Sequence, residues 1–413
     1  MEKENTGGAR KSSVEFEFLE DWVRGKVQEY IQFLLEQEVE ELLGRQKWER
    51  KGTVDPEKGY RNGYGKSRHL TLSCGTVDLK RPRVRGLEQR FVSKILPLFA
   101  RRTKEIGDLL PELYLHGLSE GDFDLALRGL LGEKAPLSAS TVARLKEKWQ
   151  AEYNQWKTRS LEGLQVVYLW VDGIYVKAGL EKEKAALLTV IAGLSDGSKQ
   201  ILHILSGYRE SKESWAGLLR DLKERGIEEL GLVIADGHLG IWAALPEIYP
   251  SAREQRCWNH KVVNVLDQVP TKKQTEAKMM VAVIPYCDKR EDAEKGKEKF
   301  ETWCKVNGLD KAAETLNRDW ERMMTFYSFP KEHWHHIRTT NVVESPFASL
   351  RLRTDAAKRF KKVENATAVI WKMLLIAEKR FRKLSAPELL KEVYEGVEFA
   401  DGVAIKKEKE AAA

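Results

Sequence analysis

The sequence predicts an α/β fold in which a mixed sheet is interrupted by an all-helical insertion and preceded by helical and β-hairpin regions. Five segments with the length of strands, most of them apolar, follow one another between residues 164 and 258. Amphipathic helical segments, SKESWAGLLRDLKERG and GIWAALPEIY, separate only the last three of them. Residues 263–335 are then mostly helical in character and rich in Lys, Glu and Trp. The predicted order is three adjacent strands followed by a helix, a strand, a helix and a strand. This is the order of elements in the RNase H-like fold.

The bulk composition limits the class of protein. The chain has 413 residues, 42% of them hydrophobic and 32% charged, which predicts a folded protein with about two to four domains. No apolar run approaches the roughly 20 residues that a bilayer span needs, and the first residues, MEKENTGGARK, lack the apolar segment of a signal peptide. Four scattered cysteines without a CxxC pair predict a reducing compartment without disulfides. We therefore expect a cytoplasmic protein that does not contact a membrane.

The charge is distributed unevenly along the chain. Residues 1–43 hold 5 Lys and Arg against 11 Asp and Glu, residues 44–104 hold 17 against 5, and residues 351–383 hold 11 against 3. Two basic blocks on an otherwise balanced chain favour a nucleic-acid partner. The alternative is that these charges only solvate exposed faces.

The acidic beginning of the chain has the pattern of a helix over residues 14–43. Its apolar residues recur at three- and four-residue steps from Leu19 to Leu35, and Gly44 is placed to cap it. The acidic opposite face argues against DNA contact here. We expect this helix to pack against another part of the protein or another copy of it.

The first basic block contains a predicted β-hairpin. The segment RHLTLSCGTVDLKRPRVR alternates apolar and polar residues on both sides of Cys74 and Gly75, with one apolar face. A basic ribbon of this kind can lie along phosphates. The predicted DNA contacts here are Arg68, Lys80, Arg81, Arg83 and Arg85.

Residues 106–155 have the pattern of broken helices that resembles a helix-turn-helix. The candidate recognition helix is Thr141–Lys148, which opens on a capping segment with Ser138 and Ser140. The predicted DNA contacts are Ser140, Thr141 and Arg144. An ordinary helical hairpin is the alternative.

Two aspartates occupy matching places in the predicted sheet. Asp172 and Asp236 lie at or just past the ends of apolar strands, and each is followed by a glycine, which lets the backbone pass close to a metal ion or phosphate. Two neighbouring carboxylates repel each other unless a cation binds them, and Mg²⁺ or Mn²⁺ prefers such oxygen ligands. Glu344, in TTNVVES at the start of a helix, is the candidate third carboxylate. The alternative for Glu344 is a charge that stabilises a helix N-terminus.

Basic residues surround the third carboxylate. We expect them to contact DNA beside the carboxylates. They are Arg338, Arg351 and Arg353.

The stretch RCWNH carries half of a zinc-finger spacing. Cys257 and His260 supply two ligands, whereas a structural zinc needs about four, and the only tempting complement is His333 and His336. Because the stretch closes the fifth predicted strand, near that of Asp236, it can instead support the catalytic core. His260 would then bond a carboxylate or a phosphate, and Cys257 would be buried as a small apolar group.

Five motifs in a fixed order identify a family resemblance. They are VDGIYVKAG, IADGHLGIWAAL, REQRCWNHKVVNVLD, FPKEHWHHIRTTNVVES and LRLRTD. From about residue 45 to 400 the chain resembles the Mutator-type transposases of bacterial insertion sequences, a family of DDE recombinases. The resemblance implies an RNase H-like catalytic core with a helical insertion before the last catalytic residue. It also implies a metal-binding triad of Asp172, Asp236 and Glu344, with Cys257, His260 and Asn341 in supporting roles.

The resemblance implies a DNA transposase that works in the cytoplasm at the nucleoid. Two Mg²⁺ or Mn²⁺ ions would promote cleavage at the element ends and strand transfer into target DNA. Holding two ends together implies a homodimer or larger assembly on double-stranded DNA, and the family favours a pathway through a copied circle. The alternatives are a non-catalytic DNA-binding protein derived from a transposase and a stand-alone RNase H-like nuclease.

The expected domains follow from these patterns. They are an N-terminal helix (1–43), a basic β-containing region (44–105), a helix-turn-helix (106–155), the first part of the core (160–262), the helical insertion (263–335), the last part of the core (336–400) and a disordered tail (401–413).

Overall fold

The chain divides into two compact units, Met1–Leu145 and Lys146–Ala413. The structure, a computed structural model, describes residues 18–49, 59–118, 120–132, 139–179, 184–207, 210–237 and 239–405. Within these residues, no helix combines the length and the apolar character that crossing a membrane requires.

The first unit contains a helix, a hairpin and further helices. Its elements are α1 (Leu19–Leu43), β1 (Tyr60–Leu72), β2 (Gly75–Arg85), α2 (Lys104–Leu115), α3 (Glu120–Leu131) and the beginning of α4 (Ala139–Lys157), which ends in the second unit. The predicted hairpin is confirmed: β1 and β2 pair antiparallel, and Leu72 lies opposite Gly75 across the turn. Its apolar face packs with α1 around Leu35, Leu79 and Leu96.

Only the second half of α1 is buried in the first unit. Leu35, Val39 and Leu43 are buried, whereas Trp22 is 49% and Tyr30 62% exposed. The first turns of α1 expose Trp22 and Tyr30 but still contact the hairpin, because Arg24 donates to the Cys74 carbonyl at 3.3 Å and the Asp78 N–H donates to the Gln28 side chain at 3.1 Å. Gly44 ends the helix in the left-handed conformation, as predicted, and residues 14–17 of the predicted helix lie outside the described residues.

The second unit is built on a five-stranded mixed sheet. Its first elements are β3 (Val166–Val176), β4 (Ala185–Leu194), β5 (Lys199–Gly207), α5 (Lys212–Glu224), β6 (Leu232–Ala235), α6 (Leu239–Ile248), β7 (Arg253–Arg256) and α7 (Trp258–Leu266). The strand order is β5-β4-β3-β6-β7, antiparallel on the β5 side and parallel where β3, β6 and β7 meet. The predicted sequence of three strands, helix, strand, helix and strand is therefore confirmed.

Helices make up most of the remainder of the second unit. They are α8 (Gln274–Val281), α9 (Arg290–Asn307), α10 (Asp310–Asn317), α11 (Trp320–Met324), α12 (Trp334–Ile337), α13 (Asn341–Ala357), α14 (Val363–Glu378) and α15 (Pro387–Tyr394). The helical character predicted for residues 263–335 is therefore confirmed, although the helices already begin at Trp258.

The predicted disordered tail is wrong for residues 401–405. A short hairpin, β8 (Phe399–Ala400) and β9 (Val403–Ala404), turns at Gly402. Three hydrogen bonds hold this turn: Arg290 N–H donates to the Asp401 carboxylate, Lys331 N–H to the Gly402 carbonyl, and Gly402 N–H to the Tyr327 carbonyl. Residues 406–413 lie outside the described residues.

Gly231 provides a test of the contact between β3 and β6. A Cβ atom added there would lie 2.7 Å from the backbone carbonyl oxygen of Val167. We expect Gly231→Ala to force these strands apart and to lower the free energy of unfolding by about 1–3 kcal/mol. Thermal unfolding of the full-length protein measures the change.

Gly217→Ala is the matched control, because a Cβ atom at this position in α5 meets nothing within 4 Å. Alanine there should leave stability unchanged or raise it by up to about 1 kcal/mol. Equal unfolding midpoints for the two variants would contradict the close contact at Gly231.

Candidate active site

The two aspartates come from neighbouring strands of the sheet. β3 and β6 pair in parallel with Trp170 opposite Ile234, so two further residues along each chain put Asp172 beside Asp236. Asp236 directly follows β6, as predicted. Asp172, however, does not end its strand: β4 continues to pair with β3 as far as Val176 on the other side.

Asp172 is electrostatically coupled to three other carboxylates. Burial, with added repulsion from Asp236, Glu210 and Glu344, raises the pKa of Asp172 to about 7, while a hydrogen bond from the Gly173 N–H at 2.8 Å opposes the rise. Asp236 and Glu344, the other two carboxylates selected from the sequence, therefore lie within electrostatic reach of Asp172. Glu210 is a fourth carboxylate that sequence reasoning missed.

The glycines after the aspartates accommodate protein side chains. A Cβ atom at Gly173 would lie 2.7 Å from the carboxyl carbon of Glu210, and one at Gly237 would lie 2.9 Å from Nε of Arg256. The prediction that these glycines let the backbone pass close to a metal ion or phosphate stays a prediction. Gly173 and Gly237 allow the side chains of Glu210 and Arg256 to lie against the backbone next to the aspartates.

Glu344 lies in the first turn of α13 and is held by Thr340. The Thr340 hydroxyl donates a hydrogen bond to the Glu344 carboxylate, and the Glu344 N–H donates to the Thr340 carbonyl at 3.0 Å. Thr340 is fully buried. Its hydroxyl therefore restricts the orientation of the Glu344 side chain.

The RCWNH stretch docks against the segment that begins α13. Trp258 N–H donates to the Arg338 carbonyl at 3.0 Å, and the Asn259 side chain donates to Asn341 at 3.0 Å. Cys257 N–H donates to the Ala235 carbonyl at 2.8 Å, immediately before Asp236. One short stretch therefore joins the strand of Asp236 to the helix of Glu344.

Cys257, His260 and Glu344 surround the Thr340 hydroxyl. Ligand atoms of these three residues lie within 4.8 Å of one another, the one such group of three or more found among the described residues. The Thr340 hydroxyl is 3.2 Å from Cys257 Sγ and 3.5 Å from His260 Nδ1, and it bonds Glu344. Interaction with Cys257 raises the pKa of His260 to about 9, with further attraction from Glu344 and Asp236.

The histidines that could complete a zinc site lie elsewhere. The His333 ring bonds the Tyr168 hydroxyl at 2.7 Å and the Ala386 carbonyl at 3.1 Å, and His336 bonds Ser385. Neither belongs to the group formed by Cys257, His260 and Glu344. The alternative of a four-ligand site completed by His333 and His336 is therefore wrong.

A buried ion network ties β7 and α7 to the helical insertion. Arg256 forms a salt bridge with Asp319, and the Lys261 ammonium lies 3.7 Å from the same carboxylate. Lys261 is fully buried, and burial lowers its pKa to about 8. In the sequence, Arg256 directly precedes Cys257 and Lys261 directly follows His260. These two basic residues were the sequence signal for the salt bridges that this stretch forms.

Most of the basic residues predicted in the first unit are exposed. Lys80, Arg83, Arg85 and Arg144 are exposed, and Arg81 is half-buried. Burial, together with repulsion from neighbouring Arg68, Arg90 and Arg83, lowers the pKa of Arg81, so positive charge is concentrated on this hairpin. Arg68 donates to the Ala100 carbonyl at 2.6 Å. The side chains of Ser140 and Thr141 lie outside what the structure describes.

The basic residues predicted near Glu344 differ in accessibility. Arg351 is exposed. Arg353 is only 3% exposed, so, contrary to the prediction, its side chain is not available to DNA in this structure. Arg338 is half-buried: it donates to the carbonyls of Trp334 and Pro285, and its guanidinium lies 4.4 Å from the Tyr286 ring centroid.

Known insertion-sequence transposases are similar to this chain. The transposase for insertion sequence element IS6120 of Mycolicibacterium smegmatis is 41% identical over 297 residues, which cover 72% of this chain and 92% of that protein. The transposase for insertion sequence element IST2 of Acidithiobacillus ferrooxidans is 39% identical over 280 residues, 67% of this chain and 94% of that protein. A solved Drosophila P element transposase strand transfer complex aligns at 12% identity over 71% of this chain and 84% of that one, and its TM-score of 0.28 is too low to bear on the fold.

The match to a family model extends over nearly the whole chain. The model is described as "Transposase, Mutator family", and it matches residues 3–383, which include the hairpin, the sheet, the insertion and α13. The chain therefore belongs to the Mutator family of transposases.

Proposed function

We propose that this protein is a DNA transposase that cleaves and transfers strands at the terminal inverted repeats of its own insertion sequence, with Asp172, Asp236 and Glu344 as its catalytic carboxylates. The observation that carries the proposal is the convergence of these three half-buried side chains, from β3, from the residue after β6 and from the first turn of α13, at one site where Asp236 and Glu344 repel Asp172. The strand order of the sheet supports an RNase H-like core.

The donor set of this site fits hard divalent cations. Carboxylate oxygens are the ligands that Mg²⁺ and Mn²⁺ prefer, and a cation would relieve the repulsion that contributes to the raised pKa of Asp172. Asp172, Asp236 and Glu344 would hold two such ions. When bound, the ions supply activation of the attacking oxygen and stabilisation of the leaving oxygen.

The reaction is phosphoryl transfer in two stages. In cleavage, a water oxygen bonds to the phosphorus at the element end, and the bond from phosphorus to the 3′-oxygen breaks to release a 3′-hydroxyl. In transfer, that hydroxyl attacks a target phosphodiester in the same way. The protein's part is to hold its carboxylates in place, and no Ser or Tyr nucleophile is required.

The CxxH residues have a positioning role in this proposal. The Thr340 hydroxyl has one proton, which it donates to the Glu344 carboxylate, while its oxygen lies 3.5 Å from His260 Nδ1. Cys257 is buried against the same hydroxyl. The hydroxyl fills the space between the three residues that would otherwise chelate a metal ion.

The first unit supplies recognition of the element ends in this proposal. Its hairpin concentrates arginines on one ribbon, and α2 to α4 provide the candidate helix-turn-helix. Two ends must be held together, which requires a homodimer or a larger assembly. A non-catalytic DNA-binding protein remains the second candidate, and the same unit would serve it.

Substitution of the three carboxylates tests the proposed chemistry. Asp172→Asn, Asp236→Asn and Glu344→Gln should each lower Mg²⁺-dependent cleavage of element-end DNA roughly a thousandfold or more, because each removes a charge that holds a cation. Binding of the same DNA, measured by gel shift, should persist.

Asp196→Asn, in the exposed turn after β4, is the matched control and should cleave normally. Full cleavage by any of the three carboxylate variants would remove that residue from the site. Full cleavage by all three would place the chemistry on other residues, whereas absence of Mg²⁺-dependent cleavage by the wild-type protein would leave only the non-catalytic candidate.

Salt dependence tests the role of the hairpin. We expect Arg83→Ala with Arg85→Ala to weaken binding of full-length protein to inverted-repeat DNA. The slope of log affinity against log salt should fall by about one for each phosphate that the variant no longer neutralises. Lys305→Ala with Lys311→Ala, in the insertion, is the charge-matched control. An unchanged slope in the hairpin variant would contradict phosphate contact there.

Metal content and cleavage together test the CxxH residues. His260→Ala should lower cleavage strongly, because Glu344 loses its support through Thr340. Cys257→Ser should lower stability by about 1–3 kcal/mol, because it buries a second hydroxyl beside Thr340. Neither change should alter the metal content of protein purified without chelator. One zinc per chain, lost in either variant, would show a metal site in place of the positioning role.

A further inference from the structure

Glu210 lies between β5 and α5 in the chain and contacts Gly173 and Gly240, which follow the two catalytic aspartates. It immediately precedes Ser211, whose side chain caps α5 by accepting from the Ser214 N–H. It is half-buried. The mechanism above does not use it, although its carboxylate contributes to the repulsion acting on Asp172.

Contacts with β3 fix the side chain of Glu210. The carboxyl group lies against Gly173, where an added Cβ atom would be 2.7 Å from its carboxyl carbon. The same carboxylate interacts with the Tyr175 hydroxyl and raises its pKa, in addition to the effect of burial. Glu210 therefore lies against the segment of β3 that directly follows Asp172.

Contacts with α6 fix the backbone of Glu210. A Cβ atom at Gly240, in the first turn of the helix that follows Asp236, would lie 2.6 Å from the Glu210 carbonyl oxygen and 3.0 Å from the Lys212 nitrogen. Because Gly173 and Gly240 have no side chains, Glu210 can approach the backbone closely at both positions. Its position is set by the β3 segment after Asp172 and by the α6 segment after Asp236.

A helix-capping role does not account for this placement. Glu213, in the first turn of α5, is the acid that interacts with the helix N-terminus and with Ser211. Glu213 is exposed, and it is not among the carboxylates that act on Asp172. Packing a further carboxylate beside three others is unfavourable unless a cation compensates the charge.

We propose that Glu210 is a fourth carboxylate of the active site, which binds the divalent cations together with Asp172. This inference rests on the proposed function, because it adds a ligand to the same cation site. Gly173 then has a specific purpose, since any side chain there would displace the Glu210 carboxylate.

Binding of Mn²⁺ to full-length protein, followed by the electron paramagnetic resonance signal of the free ion, tests the inference without measuring cleavage. Glu210→Gln keeps the shape and the contact with Tyr175 but removes the charge, and it should weaken Mn²⁺ binding about tenfold or more. Gly173→Ala should weaken binding similarly. The double variant should be no weaker than Glu210→Gln, because both changes act on one carboxylate. Glu213→Gln, the matched control, should bind as the wild type does.

The outcomes separate this inference from the proposed function. If Asp172→Asn loses Mn²⁺ binding while Glu210→Gln binds as the wild type does, Glu210 is not a ligand and the catalytic triad stands. A Glu210→Gln protein that only unfolds at lower temperature, with wild-type Mn²⁺ affinity, also shows that Glu210 is not a ligand. If Asp172→Asn and Asp236→Asn both bind Mn²⁺ as the wild type does, the cation site itself is wrong.

Discussion

The parallel pairing of β3 with β6 is the constraint on which the site depends. In a parallel pair, residues in register point to the same face, so one register sets the positions of Asp172 and Asp236 together. A slip by one residue would turn one aspartate to the opposite face. Both strands are buried on both faces, so the same slip would move every apolar side chain to the opposite packed face and disrupt its contacts there.

The position of the third carboxylate, Glu344, depends on contacts between segments that are far apart in the sequence. Glu344 follows Asp236 by more than a hundred residues, and the insertion lies between them. The RCWNH stretch spans this separation, because it bonds Ala235 on one side and the segment 338–341 on the other. The ion pair of Arg256 with Asp319 fastens the insertion to the same stretch. Cys257 and His260 thus belong to a junction between the strand of Asp236 and the helix of Glu344, where the Thr340 hydroxyl lies 3.2 Å from Cys257 Sγ and 3.5 Å from His260 Nδ1.

Much of the fold follows from local patterns in the sequence. Alternation around Gly75 predicted the hairpin, and continuous apolar runs predicted the strands in their correct order, because these signals involve neighbouring residues. The two aspartates could be selected because charged residues at apolar strands are costly. Asp172 was placed at a strand end in error because the pairing partner that extends β3 to Val176 is non-local.

The missed features depend on contacts between distant segments. In the sequence, Glu210 is an ordinary polar residue before a helix cap. Only the packing of Gly173 and Gly240 against it shows that it lies beside the aspartates. Thr340 carries no signal that distinguishes it from Thr339. The burial of Arg353 and the hairpin after residue 398 likewise depend on tertiary packing. Charge counts identify basic regions, but they do not tell which arginines face the solvent.

Location of the bound cations tests the central claim most directly. A crystal structure of the protein grown with Mn²⁺, with diffraction measured at the manganese absorption edge, would identify the ions by their anomalous scattering. The account predicts peaks bounded by the carboxylate oxygens of Asp172 and Asp236. A peak bounded instead by Cys257 Sγ and His260, with none beside the two aspartates, would contradict it.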